Sequence, residues 1–153
     1  MKLILGNGEQ LREKLKDFPS PWIIWLLAAK ILVIGVIDDK IVAAHGIRGM
    51  FNTVTLYVKE GYRGRGIGER MFEKLINAAR NQGFHFLTAA VFRQNMVALN
   101  LFSKFGCRVI NTSKKCSDVI IVCPLTLKGD LICRVLRAVC SVIPGEFLMQ
   151  VAE

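Results

Sequence analysis

LYVKEGYRGRGIGER, Leu56–Arg70, runs from an alternating apolar segment into three glycines interleaved with arginines, then into a helical pattern. A strand that feeds directly into a helix leaves the helix's first N–H groups unpaired and pointing outward. Glycines without side chains let an anion come close to those groups. Arg63 and Arg65 add charge-assisted donors suited to phosphate oxygens. The stretch therefore reads as a cradle for a pyrophosphate. A plain surface turn with solvated arginines is the competing reading, and the position between a strand and an amphipathic helix argues against it. Two familiar phosphate loops do not fit. A Walker loop would end in Gly-Lys-Ser/Thr. A Rossmann fingerprint would need its third glycine at position 69, which is Glu69.

Working outward from the loop, Met71, Phe72, Leu75, Ile76 and Ala79 form a helical stripe, and Asn81-Gln82-Gly83 is a stop signal. Upstream, ILVIGVI, DDK and IVAAHGI predict a hairpin centred on Asp38-Asp39-Lys40, and Thr53–Val58 a further strand. Leu11, Leu15 and Phe18 space a short helix over 8–18, which Pro19-Ser20-Pro21 breaks, and WIIWLLAA suits a second, buried helix. Downstream, FHFLTAAVF predicts a strand and NMVALNLFSKF a helix stopped by Gly106. CRVINT and DVIIVCPL predict a closing strand pair. The order is two helices, three strands, helix, strand, helix, two strands, which gives an α/β fold with helices packed on a mixed sheet.

A last segment, LICRVLRAVCSVI, places Leu131, Ile132, Val135, Leu136 and Val139 on one side with Arg134 and Arg137 off it, ended by Pro144-Gly145. Two readings stay open: a helix docked on the sheet or on a second subunit, or a helix lying on an anionic membrane surface. The expected division is a main domain over 1–127 and a helical extension over 128–153.

The chain of 153 residues suits one core, and its net charge of +9 favours an anionic partner. The charges are spread rather than clustered, and no aromatic-basic array appears beyond Tyr62-Arg63, so a nucleic-acid partner is not indicated. The five cysteines (107, 116, 123, 133 and 140) contain no CxxC pair, and their odd number suits a disulfide framework poorly. They read as reduced thiols of a cytoplasmic protein with no metal site. MKLILGNGEQ is too short an apolar run for a signal peptide. PWIIWLLAAKILVIGV is broken by Lys30 and closed by Asp38-Asp39, short of the ~20 residues a bilayer span needs.

Arg63-Gly64-Arg65-Gly66-Ile67-Gly68 resembles the R/Q-x-x-G-x-G/A signature of the GNAT superfamily of acyl-CoA-dependent N-acyltransferases. Asn95, Ala98, Phe102, Lys104 and Gly106 resemble its second block, N-x-x-A-x-x-x-Y-x-K-x-G, with Phe102 in the tyrosine's place. The resemblance covers roughly 30–126. It implies a GNAT-like fold, a central, mostly antiparallel sheet with helices on both faces, here with an extra C-terminal helix. It also implies an enzyme that moves an acetyl group from acetyl-CoA to a primary amine, with no metal and with a homodimer open. Backbone amides of Arg65 to Glu69 (Arg65, Gly66, Ile67, Gly68, Glu69) would hold the pyrophosphate, with Arg63 and Gly64 completing the loop. The pantetheine arm would pair with Leu56, Tyr57 and Val58, and the Val58 amide would donate to the thioester carbonyl. Asn95 would bind a pantetheine amide or, equally, cap its helix. Phe102 would pack on the pantetheine, and Lys104 completes the block.

Direct amine attack needs a group to take the amine's proton and one to serve the leaving thiolate. In many relatives a tyrosine at position 102 is the acid, and Phe102 has no proton to give. That departure raises a second reading, a CoA-binding or regulatory module without turnover. Glu60, at the end of the central strand, is a candidate base, and Tyr57 a candidate relay through water. Glu60 as a solvated carboxylate and Tyr57 as an ordinary strand residue are the plainer alternatives. His45 reads as a satisfied core histidine and Cys107 as core. Phe18, Trp22, Trp25, Lys114 and Lys115 fall on the parts that shape the acceptor pocket in this family.

Overall fold

The structure, a computed structural model, describes residues 1–16, 18, 22–110 and 117–142, the side chains of 22 and 140–142 apart. Lys114, Lys115, Cys116, the break at 19–21 and the stop at 144–145 lie outside the described residues, as do the side chains of Trp22 and Cys140. The chain forms two compact units, Met1–Gly83 and Phe84–Glu153.

In the first unit β1 (Lys2–Gly6), β2 (Ile31–Ile37), β3 (Lys40–Arg48) and β4 (Thr53–Val58) pair antiparallel in chain order. The β2–β3 turn falls on Asp38 and Asp39, whose φ values of 48° and 55° are both left-handed, the conformation a tight hairpin turn requires. α1 (Trp22–Leu27) packs over β3, and α2 (Ile67–Asn81) packs on β2, β3 and β4. The helical stripe is buried as its spacing predicts: Met71, Phe72, Leu75 and Ala79 are all fully enclosed. Leu11, Leu15, Phe18, Leu26, Leu32, Ile34 and Ala44 form a second layer of core, with Tyr57 packed against it.

Two features differ from the sequence reading. Residues 2–6 form a strand, because Lys2–Gly6 pairs with Leu32–Val36 at the open edge of β2. The expected helix over 8–18 is a run of turns with one 3₁₀ segment, Glu13–Leu15. Its apolar spacing was sound, since Leu11, Leu15 and Phe18 are buried, and reciprocal bonds between Asn7 and Gln10 open the run as they would a helix, but tighter i→i−3 bonds, Arg12 to Glu9 and Phe18 to Leu15, then wind it as turns.

In the second unit β5 (Phe86–Phe92), β7 (Asp118–Pro124) and the short β6 (Arg108–Val109) pair antiparallel in that order. α3 (Met96–Lys104) joins β5 to β6, and α4 (Leu127–Val142) packs on β7 and β5. Gly106, at φ 74°, closes α3 in the left-handed conformation. No helix among the described residues is long and apolar enough to cross a membrane.

Candidate acyl-CoA site

β4 ends at Val58, and a 3₁₀ turn over Glu60–Tyr62 carries the chain to the glycines. Gly64 and Gly66 take φ values of 75° and 71°. A Cβ at either would meet nothing within 4 Å, so the backbone conformation, not crowding, demands glycine, and the space beside the turn is open. Gly66 is the N-cap of α2 and, having no side chain, makes no cap bond to the amides of the first turn. Ile67 is buried and anchors that turn, whereas Arg63 to Gly66 are exposed. The residues expected to bind an anion thus stand together at one helix start, Arg63 to Gly66 and Glu69 exposed and Ile67 buried.

The two arginines are braced. Arg63 Nε donates to the Val58 carbonyl oxygen at 3.0 Å, tying the loop to the end of β4. The Arg65 guanidinium lies 5.6 Å from the centroid of the Tyr62 ring, a cation–π contact. Sequence reasoning assigned Arg63 to phosphate alone and missed this bond to the strand end.

Leu56, Tyr57 and Val58 are half-buried and pair with His45, Ala44 and Ala43 of β3. Tyr57 meets the Phe18 ring edge-on, with centroids 5.2 Å apart. Glu60 is exposed at the strand end, as a solvated carboxylate would be. His45 is fully buried and stacks on Phe72 at 5.2 Å. It is a core residue but not a satisfied one: neither ring nitrogen has a hydrogen-bond partner. Burial drives its pKa down to about 3, so the ring is neutral at ordinary pH. Trp25 packs beneath the Arg48 guanidinium at 4.5 Å, and Phe18 is core.

In the second unit Asn95 caps α3: its Oδ1 accepts from the Ala98 amide at 3.1 Å. That bond uses the side-chain oxygen and leaves the role of a donor to the amide nitrogen. Phe102 is buried and borders a cavity of about 320 Å³, lined also by Leu99, Asn100, Ser103, Cys107, Val109 and Ile121. Lys104 is exposed on the last turn of the helix.

Cys107 and Cys123 form a disulfide, which overturns the expectation that both are reduced thiols. The odd cysteine count was a poor guide, because the β6–β7 register that pairs Arg108 with Val122 sets the two residues opposite each other. Cys133 is free and buried, and burial, with the Asp130 charge adding to it, pushes its thiol pKa up to about 11.

The family described as the acetyltransferase (GNAT) family matches residues 8–107, and the chain belongs to it. It is similar to the L-methionine sulfoximine/L-methionine sulfone acetyltransferase of Pseudomonas aeruginosa, 34% identical over 61 residues, which are 40% of this chain and 35% of that one. It is also similar to the L-amino acid N-acyltransferase MnaT of Escherichia coli, 33% identical over 52 residues, 34% of this chain and 30% of that protein. The match thus spans about a third of the length of these curated relatives. Among solved structures, a Bacillus subtilis acetyltransferase in complex with CoA gives a TM-score of 0.60 at 18% identity, over 82% of this chain and 99% of that one. An IAA acetyltransferase from Bacillus cereus gives 0.60 at 14% identity, over 80% of this chain and 99% of that one. The fold is therefore the mixed α/β GNAT fold, with mostly antiparallel strands and a C-terminal helix.

Proposed function

We propose that this protein transfers an acetyl group from acetyl-CoA to a primary amine by direct attack of the amine on the thioester. The observation that carries the proposal is the start of α2, reached from β4 through a 3₁₀ turn: a left-handed Gly66 as N-cap, no side-chain cap, and Arg63 and Arg65 braced beside it. First-turn amides and a helix dipole favour a diphosphate there. A thioester is the group that acetyl-CoA supplies, and the family pattern assigns Asn95, Phe102 and Lys104 to the same molecule.

Within the chain, the Leu56–Val58 backbone is the edge offered to the pantetheine, with the Val58 amide as donor to the carbonyl oxygen that gains charge under attack. A preorganised donor of this kind is commonly worth about 3 kcal/mol of transition-state stabilisation. Glu60 at the strand end, exposed to water, is the proposed base. Tyr57, half-buried and fixed against Phe18, is the proposed relay. Phe102 supplies no proton, so the thiolate leaves with water as its acid. The names of two relatives make amino-acid amines the first acceptors to try. A cytoplasmic setting rests on the supply of acetyl-CoA, since the Cys107–Cys123 bond removes the argument from reduced thiols.

Phe102 favours one alternative, a CoA-binding module without turnover. The two separate in one assay: free CoA released from acetyl-CoA in the presence of a panel of amines, L-amino acids included. Amine-dependent release supports the enzyme; tight CoA binding with release no faster than the blank supports the module.

A further inference from the structure

The end of α3 is joined to the sheet by a covalent bond. Gly106 closes the helix, and the next residue, Cys107, is bonded to Cys123 of β7. The Cys107 amide also turns back to donate to the Phe102 carbonyl oxygen at 3.2 Å, so the staple and the Phe102 turn are directly linked. β7 is an inner strand, paired with β5 on one side and β6 on the other, which anchors Cys123 in the sheet.

The other contacts at this end of the unit are slight. β6 is two residues long, Arg108 and Val109, both exposed, and beyond it the Ile110 amide donates to the Ile120 carbonyl oxygen at 2.9 Å. Arg108 meets Asp130 at 3.1 Å, but its side chain is 54% exposed, and such an ion pair is worth little. Between α3 and the strands lies the cavity of about 320 Å³, bounded by Phe102 and Ser103 on the helix and by Cys107, Val109 and Ile121 on the strand side. Side chains that border a void lose packing contacts there. The disulfide therefore carries more of the positioning of Phe102 than it would in a close-packed interior.

The two sulfurs also differ in access. Cys123 is 1% exposed, whereas Cys107 is half-buried and lines the cavity, beside the exposed Asn100, Ser103 and Val109. A small thiol entering there meets the Cys107 sulfur first. Its thiolate attacks that sulfur, the S–S bond breaks, and Cys123 leaves with the electron pair and takes up a proton. The second thiol of a dithiol then displaces Cys107 from the mixed disulfide. The products are two protein thiols and one oxidised dithiol.

We infer that the Cys107–Cys123 bond is a redox switch on the CoA site. Oxidised, it holds the end of α3 and Phe102 in the binding position; reduced by a dithiol, it releases them, and CoA binding weakens. The inference rests on the acyl-CoA reading, which assigns Asn95, Phe102 and Lys104 of this helix and its cap to CoA.

The test is titration calorimetry with CoA, below the melting temperature of the reduced form. It compares the oxidised parent, the parent reduced with dithiothreitol, the parent reoxidised, and Cys107→Ser/Cys123→Ser with and without the reductant. Expected on reduction is binding about tenfold weaker, within the usual range of coupling between sites, and full recovery on reoxidation. The double variant, which keeps Cys133 and the other cysteines, should bind like the reduced parent and ignore the reductant. Hydrogen exchange should quicken over Met96–Lys104 on reduction and stay unchanged over α2. A reductant effect that persists in the double variant, or unchanged exchange over Met96–Lys104, overturns the switch. CoA bound equally in both redox states overturns it too and leaves the acyl-CoA reading standing; CoA bound in neither overturns both.

Discussion

The Arg63 Nε donates to the Val58 carbonyl oxygen at 3.0 Å, so the residue that opens the glycine loop also ties down the end of β4. One side chain therefore sets the distance between the proposed thioester donor, the Val58 amide, and the proposed diphosphate cradle at Gly66. Loop and strand end are coupled by a bond that lysine would not reproduce, because a guanidinium can donate from Nε while its fork still faces an anion.

Arg63→Lys should then weaken CoA binding about tenfold, the scale of one hydrogen bond from a charged donor at an exposed site. Titration calorimetry with CoA measures it. An affinity equal to the parent's would show that the Val58 bond does not order the loop.

His45 makes stability depend on pH. Its folded pKa is about 3, against about 6.5 for a free imidazole. The unfolded chain therefore binds the extra proton first. The contribution is fully present above pH 6.5 and is lost as pH falls from there toward 3, by up to about 1.4 kcal/mol per pH unit. Urea melts at pH 7.5 and 5 should show this loss, and His45→Leu should flatten it. That variant should also gain stability at pH 7.5, since two buried nitrogens without partners disappear.

Reducing the Cys107–Cys123 bond should cost roughly 2–4 kcal/mol, since it closes a loop of sequence separation 16 in the unfolded chain. Thermal melts with and without dithiothreitol test this. Cys107→Ser/Cys123→Ser should melt like the reduced parent and should not respond to the reductant.

Phe102→Tyr restores a proton donor where many relatives carry one. The expected result is a rise in kcat of about tenfold, toward the range general acids supply, with CoA affinity unchanged. Stopped assays of CoA release, alongside a CoA titration, separate the two quantities.

The elements legible in the sequence were those with a periodic apolar face and a clear stop. The α2 stripe, the Asp38-Asp39 hairpin and the Gly106 end of α3 all follow from local rules. β1 was not legible, because a five-residue edge strand gets its identity from the partner it meets, β2. The helix expected over 8–18 failed for another reason: Asn7 and Gln10 cap the run as they would a helix, but tight i→i−3 bonds, Arg12 to Glu9 and Phe18 to Leu15, wind it as turns despite a correct apolar spacing. At the site, the glycine loop was readable because Gly64 and Gly66 need conformations that only glycine takes easily. The Arg63–Val58 bond, the unsatisfied His45 and the disulfide were not, since each depends on which residues the sheet brings face to face.

The central claim is that the start of α2 holds the diphosphate of CoA. The direct test compares melting temperatures of the parent chain and Gly66→Glu with CoA, acetyl-CoA and ATP. The prediction is a clear rise for the parent with both CoA species, well above that with ATP, and none for Gly66→Glu, whatever its unliganded melting temperature. Equal rises with all three ligands, no rise at all, or a full rise retained by Gly66→Glu would contradict it.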